Sequence, residues 1–387
     1  MLATPATAAD LHGAVRRYVD DVVLPNVADW DRADVLPDEV LQALVDLGLT
    51  GALVPREHGG GGLGVADLAP AWRVLSQGWI SLTGAVNPTG LATALLVRHG
   101  TAGQQARWLP GIARGEVLAS FSITEPQAGS DLARIETTAR RLDGGGLLLD
   151  GRKRWVAGGV SSDVIFLLAE VEGADKPSCV VLPADGRDSA TWRLSELDNV
   201  GYRGVESAAY AFDGHEAPGA EVLGGDAGVG NGARQMLDAL DVGRINVACR
   251  ALGIVDRALA CAVGESVGRE VGDGLLGDHT HAQLRVGAIV ARRAAIEAVI
   301  ARAAAAVDAR AEAARELSTA AKVVASDTAV WAVDRAARLA ASRSYAAADE
   351  LARLRRDAPQ TQIGEGANDA LLMALARPHL EAGASGQ

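Results

Sequence analysis

Apolar residues recur at helical spacing near both ends of the chain, whereas the middle alternates short apolar runs with turn residues. Between Pro37 and Leu47 the apolar side chains fall three or four positions apart, which predicts a helix that begins near the proline. Residues 237–259 carry a second apolar face of the same period, and two alanine-rich segments follow at 286–307 and 318–341. We therefore expect helices at both ends, with the C-terminal set packed as a bundle.

The central part of the chain predicts strands. Its short runs of branched and aromatic residues are separated by Gly, Pro, Asp and Ser, which is typical of strands joined by turns. The expected strands cover residues 147–149, 153–156, 164–169, 179–182 and 208–212. Several short strands at this spacing indicate a small barrel or sandwich.

These textures divide the chain into three units of an α+β protein. We expect an N-terminal helical domain at 1–117, a central β-domain at 118–225 and a C-terminal helical bundle at 226–387. The chain has 387 residues, 49% of them hydrophobic and 22% charged, which is enough apolar surface for a large core. The same composition excludes a disordered chain.

Net charge and the spacing of Cys and His residues limit the kinds of ligand that the chain can be expected to bind. A formal net charge of −12 excludes nucleic acid as the main partner, and an anionic ligand must be met by local basic groups. Cys179, Cys249 and Cys261 are widely spaced and form neither a metal pattern nor a disulfide framework. His279 and His281 stand at a predicted helix start without a third ligand, so we expect no metal site.

Targeting signals are not evident in the sequence. The first residues, Met1 to Pro5, include no basic segment of the kind that opens a secretory signal. No uncharged apolar run reaches about 18 residues, the length of a membrane span. We therefore expect a cytoplasmic protein that does not enter a membrane.

The segment from Ser120 to Asp131 carries the clearest chemical signal. Its sequence, SFSITEPQAGSD, combines a Pro/Gly turn with the hydroxyls of Thr124 and Ser130 and with free N–H groups around Gly129. Such groups are suited to hold the polar edge of a flavin and a diphosphate. TEPQAGSD resembles the TEPxAGSD signature of the acyl-CoA dehydrogenase family and matches it at every fixed position.

Further stretches resemble the same family in order and spacing. They are residues 51–64, 100–116, 151–156, 212–213, 223–224, 356–358 and 363–366. The resemblance covers nearly the whole chain. It implies the family's fold, which has an N-terminal helical domain, a central β-barrel or sandwich domain and a C-terminal four-helix bundle.

The resemblance also implies a reaction, the FAD-dependent α,β-dehydrogenation of an acyl thioester of coenzyme A or an acyl-carrier protein. In this reaction a base removes the α-proton and the β-hydrogen leaves as hydride to flavin N5. Glu365 is the implied base, and its neighbours Gly364 and Gly366 let the backbone approach a substrate closely. The family usually has Tyr at Gly364, so we expect a site widened for a bulky acyl group.

Two sets of contacts follow from the resemblance. The cofactor contacts are Phe121, Ile123, Thr124, Gly129, Ser130, Trp155 and Arg269, and the substrate contacts are Ser130, Asp241, Arg244 and Gly366. Trp155 is expected to lay its aromatic face against the flavin. Asp241 and Arg244 are three residues apart and share a helix face, either beside the coenzyme A arm or as an ordinary ion pair on a solvated face.

Several positions depart from the family pattern. Ala157 and Ala367 stand where the family has Thr. Residues 268–272 replace the Arg-x-x-Phe-Gly motif, and residues 338–342 replace the Gln-x-x-Gly-Gly motif. In the family these two motifs reach the ADP half of the FAD held by a neighbouring subunit. The lost motifs therefore affect the FAD site of the neighbouring subunit more than the FAD site within the same chain.

Four interpretations of these losses remain open. The chain could be one subunit of a heteromeric α2β2 enzyme, or a homotetramer whose diphosphate site is rebuilt with Arg269 or Arg338. It could instead be a flavin oxidase or monooxygenase, or a partner subunit without catalysis. The resemblance implies an electron-transfer flavoprotein as the electron acceptor. The basic run at 353–356 is expected to be a solvated helix face.

Overall fold

A computed structural model describes residues 7–385 of the chain. Its N-terminal part is helical: α1 (Ala8–Tyr18) continues through a π-helical turn (Val19–Val23) into α2 (Leu24–Ala33), and α3 (Asp38–Asp46), α4 (Val65–Gly78), α5 (Ile80–His99) and α6 (Ala102–Ala113) follow. The helix predicted from Pro37 is confirmed as α3, with Pro37 as its N-cap. The expectation for Met1 to Pro5 lies outside the described residues.

The central part is a β-domain. Its strands are β1 (Ala119–Ser122), β2 (Thr138–Arg141), β3 (Leu147–Ala157), β4 (Val164–Val171), β5 (Ser178–Pro183), β6 (Trp192–Glu196), β7 (Ser207–Ala217) and β8 (Glu221–Val222). They form one eight-stranded sheet in the order β6-β7-β3-β2-β4-β5-β8, and β1 pairs with β4 off this path. Because β6 and β8 do not pair, the sheet is not a closed barrel.

The sheet separates two apolar cores. Ile165 and Leu167 of β4 face a core shared with β3, β5, β6 and β7, with Trp192 at its centre. Phe166 and Leu168, on the other face of β4, pack with residues of α5, α6 and α7. Strand β4 is therefore buried on both faces, which explains why it reads as a continuous apolar run.

The predicted boundaries within the sheet need one correction. The separate strands expected at 147–149 and 153–156 are a single strand, β3, with register shifts at Leu149/Gly151 and Lys153/Val156. Gly151 has φ 138° and absorbs the first irregularity. Strands β1, β2, β6 and β8 were not expected from the sequence, because they are short or carry charged residues beside buried ones.

The C-terminal part is a helical bundle. It contains α7 (Gly232–Gly268), α8 (Thr280–Asp308), α9 (Ala314–Ala340), α10 (Glu350–Ile363) and α11 (Asn368–Ser385), and a short hairpin of β9 (Glu270–Val271) and β10 (Gly274–Leu275) joins α7 to α8. The alanine-rich segments are α8 and α9. Their buried alanines, such as Ala304 and Ala332, let these helices approach α7 closely.

Helix α5 runs from the N-terminal part into the centre of the molecule and packs against α7. By length and composition it could cross a membrane, and it is the single such helix among the described residues. Its sequence does not form a continuous apolar run, because Ser, Thr and Asn interrupt the segment. In the structure 78% of its apolar window is buried, as expected for a core helix.

Candidate active site

Glu365 lies in the turn between α10 and α11, over the seam between α5 and α7. Its backbone has φ 53°, and that of Gly366 has φ 107°. The Glu365 carboxylate accepts a hydrogen bond of 2.5 Å from Nδ2 of Asn87 on α5. On the other side, a Cβ at Gly243 of α7 would lie 2.8 Å from Glu365 Cγ. The left-handed turn and the missing side chain at Gly243 thus place the carboxylate in the seam.

Two cations hold the backbone of this turn. Arg244 Nε donates to the Glu365 carbonyl over 3.4 Å, and Lys322 Nζ donates over 2.7 Å to the carbonyl of Gly366. Lys322 also donates over 2.7 Å to Oδ1 of Asn368, the first residue of α11. Burial lowers the pKa of Lys322 to about 8, and the Glu365 carboxylate partly offsets this effect. Both cations tie the turn to α7 and α9.

Asp241 and Arg244 form a buried ion pair of 3.2 Å, with relative exposures of 6% and 4%. Arg244 also donates to Thr319 of α9, and Asp241 accepts from Ser318. The alternative of a solvated helix face is therefore wrong. The half-exposed Arg315 binds the outer side of Asp241, so a chain of charges leads from the seam to the surface.

The basic run at 353–356 needs the same correction. Arg353 is buried and donates to the Gly78 carbonyl, and Arg356 pairs with the buried carboxylate of Asp31. Helix α10 carries these side chains into the contact with the N-terminal helices. Arg355 alone of the three arginines is exposed.

The signature loop is shaped by a buried carboxylate. Glu125 Oε1 accepts from Lys153 Nζ over 2.7 Å and from the Thr137 N–H, and Oε2 accepts from the Glu136 N–H. Lys153 also donates to the Ile123 carbonyl. Burial lowers the pKa of Lys153 to about 8, with Glu125 partly offsetting it. The Glu125 carboxylate is thus a structural group that fixes the loop on β3.

Comparison with known proteins identifies the chain. The sequence profiles of the acyl-CoA dehydrogenase N-terminal, middle and C-terminal domains match residues 6–116, 120–215 and 230–380. Benzylmalonyl-CoA dehydrogenase of Aromatoleum aromaticum is 30% identical over 93% of this chain and 94% of its own length. The chain belongs to the acyl-CoA dehydrogenase family. It is an oxidoreductase of the class that acts on CH–CH groups, and the family's cofactor is FAD.

Other relatives agree with this assignment. The (2S)-methylsuccinyl-CoA dehydrogenase of Cereibacter sphaeroides is 32% identical over 63% of this chain, and the match spans 46% of that longer protein. Butyryl-CoA dehydrogenase from Megasphaera elsdenii has a similar structure, with a TM-score of 0.89, 26% identity and coverage of 96% and 98% of the two chains. The expected family fold, a helical N-terminal domain, a β-domain and a C-terminal helical bundle, is confirmed.

An acyl-CoA dehydrogenase needs a flat, partly apolar face for its flavin, and the residues near the signature loop fit one. Arg154 N donates to the Thr124 carbonyl, which joins the loop to β3 beside Trp155. Trp155 has φ 62° at the second irregularity of β3, and 53% of its surface is exposed. Phe121 and Ile123 are partly exposed at the same edge. An exposed aromatic residue in a strained bulge is expected where a planar ligand docks.

The polar part of the loop is also available for a ligand. Gly129 and Ser130 are exposed, and no side chain within 3.4 Å would contact a Cβ at Gly129. Within the described chain, the hydroxyls of Thr124 and Ser130 make no hydrogen bond. These donors and acceptors match the polar edge of a flavin and a phosphate.

Arg269 does not join this site. It stands just after α7, 25 residues beyond Arg244, which places it roughly 37 Å farther along the helix axis. Its Nη1 donates to the carbonyl of Leu339, near the end of α9. The structure thus brings together the two altered segments, 268–272 and 338–342, at the far end of the bundle.

The space beside Gly364, where the family usually has a Tyr side chain, is partly filled. A Cβ at this position would lie 2.8 Å from Nε2 of Gln360, so the side chain of Gln360 occupies that side. The widening expected from the replacement of Tyr stays a prediction.

The described residues were also compared with the ligand groups that metal ions need. Among residues 7–385 no cluster of three His, Cys, Asp or Glu side chains could hold a metal ion. His279 caps the start of α8, and its ring lies 5.8 Å from that of His281.

The structure adds several residues to the seam that the sequence did not single out. Asn87, Tyr202, Asn246, Arg250 and Lys322 are all buried polar residues. A signal existed for Asn87, which interrupts an apolar helix, whereas helical spacing places Arg250 opposite the apolar face predicted at 237–259. A polar residue on a buried face needs a partner or a function.

Proposed function

We propose that this chain dehydrogenates an acyl thioester at its α and β carbons, with Glu365 as the base for the α-proton. The observation that carries the proposal is the placement of the Glu365 carboxylate between Asn87 and Gly243. The carboxylate is fixed in position and half-buried, and its free oxygen faces the seam. A base must be held within hydrogen-bond reach of the proton that it removes.

The other residues of the seam have supporting roles. Asn87 orients the carboxylate, while Arg244 and Lys322 hold the turn that carries it. Exposed Gly366, which follows the base, can lie close to the thioester. Asp241 keeps Arg244 in place, and both are proposed to lie near the arm of the thioester carrier. Ser130 is proposed as a contact for both the flavin and the substrate.

FAD, when bound, supplies the acceptor for the hydride from the β-carbon. Trp155, Phe121 and Ile123 would hold its ring system, and Thr124, Gly129 and Ser130 would hold its polar edge and phosphates. The electron acceptor proposed for the reduced enzyme is an electron-transfer flavoprotein, as the family uses.

The test is anaerobic reduction of the FAD-loaded protein by a panel of acyl-CoA thioesters, followed by flavin absorbance. Wild-type protein should lose its flavin absorbance on mixing. A Glu365→Gln variant should bind the thioester and retain its colour, with at least about 10²-fold slower reduction because the base is absent. Glu316→Gln, an exposed glutamate on α9, is the matched control and should behave as wild type. Equal reduction rates in the two variants would remove Glu365 from the mechanism.

The same experiment separates dehydrogenase from oxidase chemistry. An electron-transfer flavoprotein should reoxidise the reduced enzyme much faster than oxygen does. Rapid oxygen consumption with hydrogen peroxide as product would instead favour the flavin oxidase.

We further propose that the active assembly contains more than one chain. Arg269 and the segment around Leu339 lie together at the end of α7, roughly 37 Å along the helix axis from Arg244, and we assign them to the cofactor of a neighbour. Light scattering with flavin quantification tests the form of the assembly. A yellow homotetramer would mean a rebuilt diphosphate site, whereas a colourless chain that gains FAD with a related subunit would support the α2β2 form.

The names of the relatives leave the acyl group open. Two are named for methylsuccinyl-CoA and benzylmalonyl-CoA, whose acyl groups carry a second carboxyl group, and another for butyryl-CoA, whose acyl group carries none. Both classes belong in the panel, together with acyl-carrier-protein thioesters.

A further inference from the structure

Three buried side chains beside the seam form a cluster dominated by hydrogen-bond donors. Arg250 and Asn246 of α7 have relative exposures of 1% and 0%, and Tyr202, in the loop after β6, has 7%. Arg250 Nε donates to Asn246 Oδ1 over 2.8 Å, and Arg250 Nη1 donates to the Tyr202 hydroxyl oxygen over 2.9 Å. These two bonds occupy the acceptor oxygens that the cluster itself provides.

The remaining donors of the cluster have no partner. Arg250 Nη2 and Asn246 Nδ2 are buried and make no hydrogen bond. The hydroxyl hydrogen of Tyr202 has no acceptor among the described residues either. Within the same part of the chain, no carboxylate lies within 4.0 Å of the Arg250 guanidinium. The other deeply buried arginines are paired: Arg244 with Asp241, and Arg353 with Glu350 at 3.6 Å.

A buried guanidinium without a counter-ion is costly. The effective desolvation penalty is several kcal/mol, and a facing anion offsets it. The ring of Tyr202 lies 5.2 Å from the Arg250 guanidinium, which supplies only a weaker cation–π contact. Three linked side chains whose remaining donors have no acceptor are therefore suited to an anion, and a carboxylate matches the fork of a guanidinium.

The cluster lies about one helical turn along the axis of α7 from the Glu365 carboxylate. Arg250 is seven residues, or two turns, after Gly243 and projects from the same face of α7. Its side chain leans back toward Asn246, which is three residues from Gly243, about 4.5 Å along the axis. The guanidinium therefore lies a short distance along the seam from Glu365.

Helix α5, which faces α7, also places a contact to the donor cluster next to a contact to Glu365. On α5, Gly84 precedes Asn87 by three residues and shares its face. A Cβ at Gly84 would lie 2.1 Å from the Tyr202 hydroxyl, so the missing side chain makes room for the phenol. The charge of Glu365 acts on Tyr202, and burial is the main reason that the pKa of this phenol rises to about 12. Both helices thus place the donor cluster beside the base.

We propose that Arg250, Asn246 and Tyr202 bind a second carboxylate at the far end of the acyl group, so that the substrate is the thioester of a short dicarboxylic acid. The inference rests on the proposed function, because it takes Glu365 as the reference point of the reacting α-carbon. The carboxylate would complete the hydrogen bonds of all three side chains and neutralise the buried cation. A neutral acyl group of the same length would leave these hydrogen bonds unmade and the buried cation without a counter-ion.

The experiment measures binding and flavin reduction with matched thioesters. Succinyl-, glutaryl- and adipyl-CoA are each paired with the monocarboxylic acyl-CoA of the same number of carbons. Binding is measured by titration calorimetry to the Glu365→Gln variant, which cannot remove the α-proton. We expect a preference for one dicarboxylic thioester of about 10²-fold or more, the scale for a site that loses a buried polar partner.

Three variants in this background assign the preference to the cluster. Arg250→Met should lower the dicarboxylic-to-neutral ratio at least about 50-fold, and Tyr202→Phe, which removes one hydroxyl, about 5- to 10-fold. Arg353→Met is the control, since it removes a buried but paired arginine on α10 and should leave the ratio unchanged. Circular dichroism and thermal unfolding verify that each variant is folded; should Arg250→Met not fold, the Tyr202→Phe ratio decides.

The outcomes separate the two proposals. If neutral thioesters bind and reduce the flavin as well as dicarboxylic ones do, the second-carboxylate site is wrong and the dehydrogenase stands. If dicarboxylic thioesters bind through Arg250 but wild-type flavin is never reduced, the site stands and the proposed reaction fails. If no thioester binds at all, both are overturned.

Discussion

The amide of Asn87 and the carboxylate of Glu365 are 278 residues apart in sequence and joined by a hydrogen bond of 2.5 Å. The bond crosses from a helix of the N-terminal domain to the turn that precedes the last helix. It makes the position of the base depend on how the two helical parts pack together.

The first prediction concerns this bond. Asn87→Ala should slow flavin reduction by about 10- to 100-fold, because an unoriented base loses near-attack geometry. Affinity for the thioester, measured in the Glu365→Gln background, should change much less. Stopped-flow reduction checks the rate, and Asn26→Ala, an exposed asparagine, is the control. Equal losses in rate and affinity would mean that Asn87 acts on binding instead of on the base.

The second prediction concerns the space at Gly243. A methyl group there would lie 2.8 Å from Glu365 Cγ and 3.0 Å from Leu91 Cδ2. Gly243→Ala should therefore displace the carboxylate and lower the reduction rate at least about 10-fold. Gly264→Ala lies on the exposed side of the same helix with nothing within 4 Å. That control should keep its activity and gain roughly 0.5–1 kcal/mol of stability, as alanine replaces a helical glycine.

The third prediction concerns the ion pair under the signature loop. Lys153→Met leaves Glu125 buried without its cation and should reduce the free energy of unfolding by roughly 3–5 kcal/mol. Chemical denaturation measures this loss, and Arg152→Met, an exposed change on the same strand, should cost little. Adding Glu125→Gln to Lys153→Met should recover part of the loss. A double variant no more stable than the single one would show that packing, not charge, dominates.

The fourth prediction concerns the pH dependence of stability through Asp357. Burial raises the pKa of this carboxyl to about 6, with nearby arginines partly offsetting the rise. A carboxyl whose pKa is higher in the folded state stabilises the fold below pH about 4, and that contribution is lost as the pH rises through about 6. Asp357→Asn keeps an acceptor for the Tyr202 N–H and should stabilise the protein by roughly 2–3 kcal/mol at pH 7.5.

The same change should have much less effect at pH 4, where the carboxyl is already protonated. Denaturation curves of both proteins at the two pH values measure the difference. A gain that is the same at both pH values would mean that Asp357 is not buried as an anion near neutrality.

Local chemistry alone was enough to predict much of this protein. The helical period at 37–47 and the alanine-rich segments give elements that the structure confirms, because periodicity depends on neighbouring residues only. The signature at 124–131 identified the family and its cofactor, because a contiguous loop carries its own hydrogen-bond pattern. Glu365 was singled out because residues 356–358 and 363–366 resemble the family's catalytic stretch, and its role stays a proposal.

Tertiary structure decided what the contacts of these residues are. Spacing showed that Asp241 and Arg244 share a helix face, but only the packing of α9 against α7 showed that the face is buried. Asn87 stood out only as a polar residue in an apolar helix, because its partner Glu365 lies on another element, 278 residues away in sequence. The side-chain period of a segment fixes which residues point the same way, whereas the partner that they meet depends on how distant segments pack.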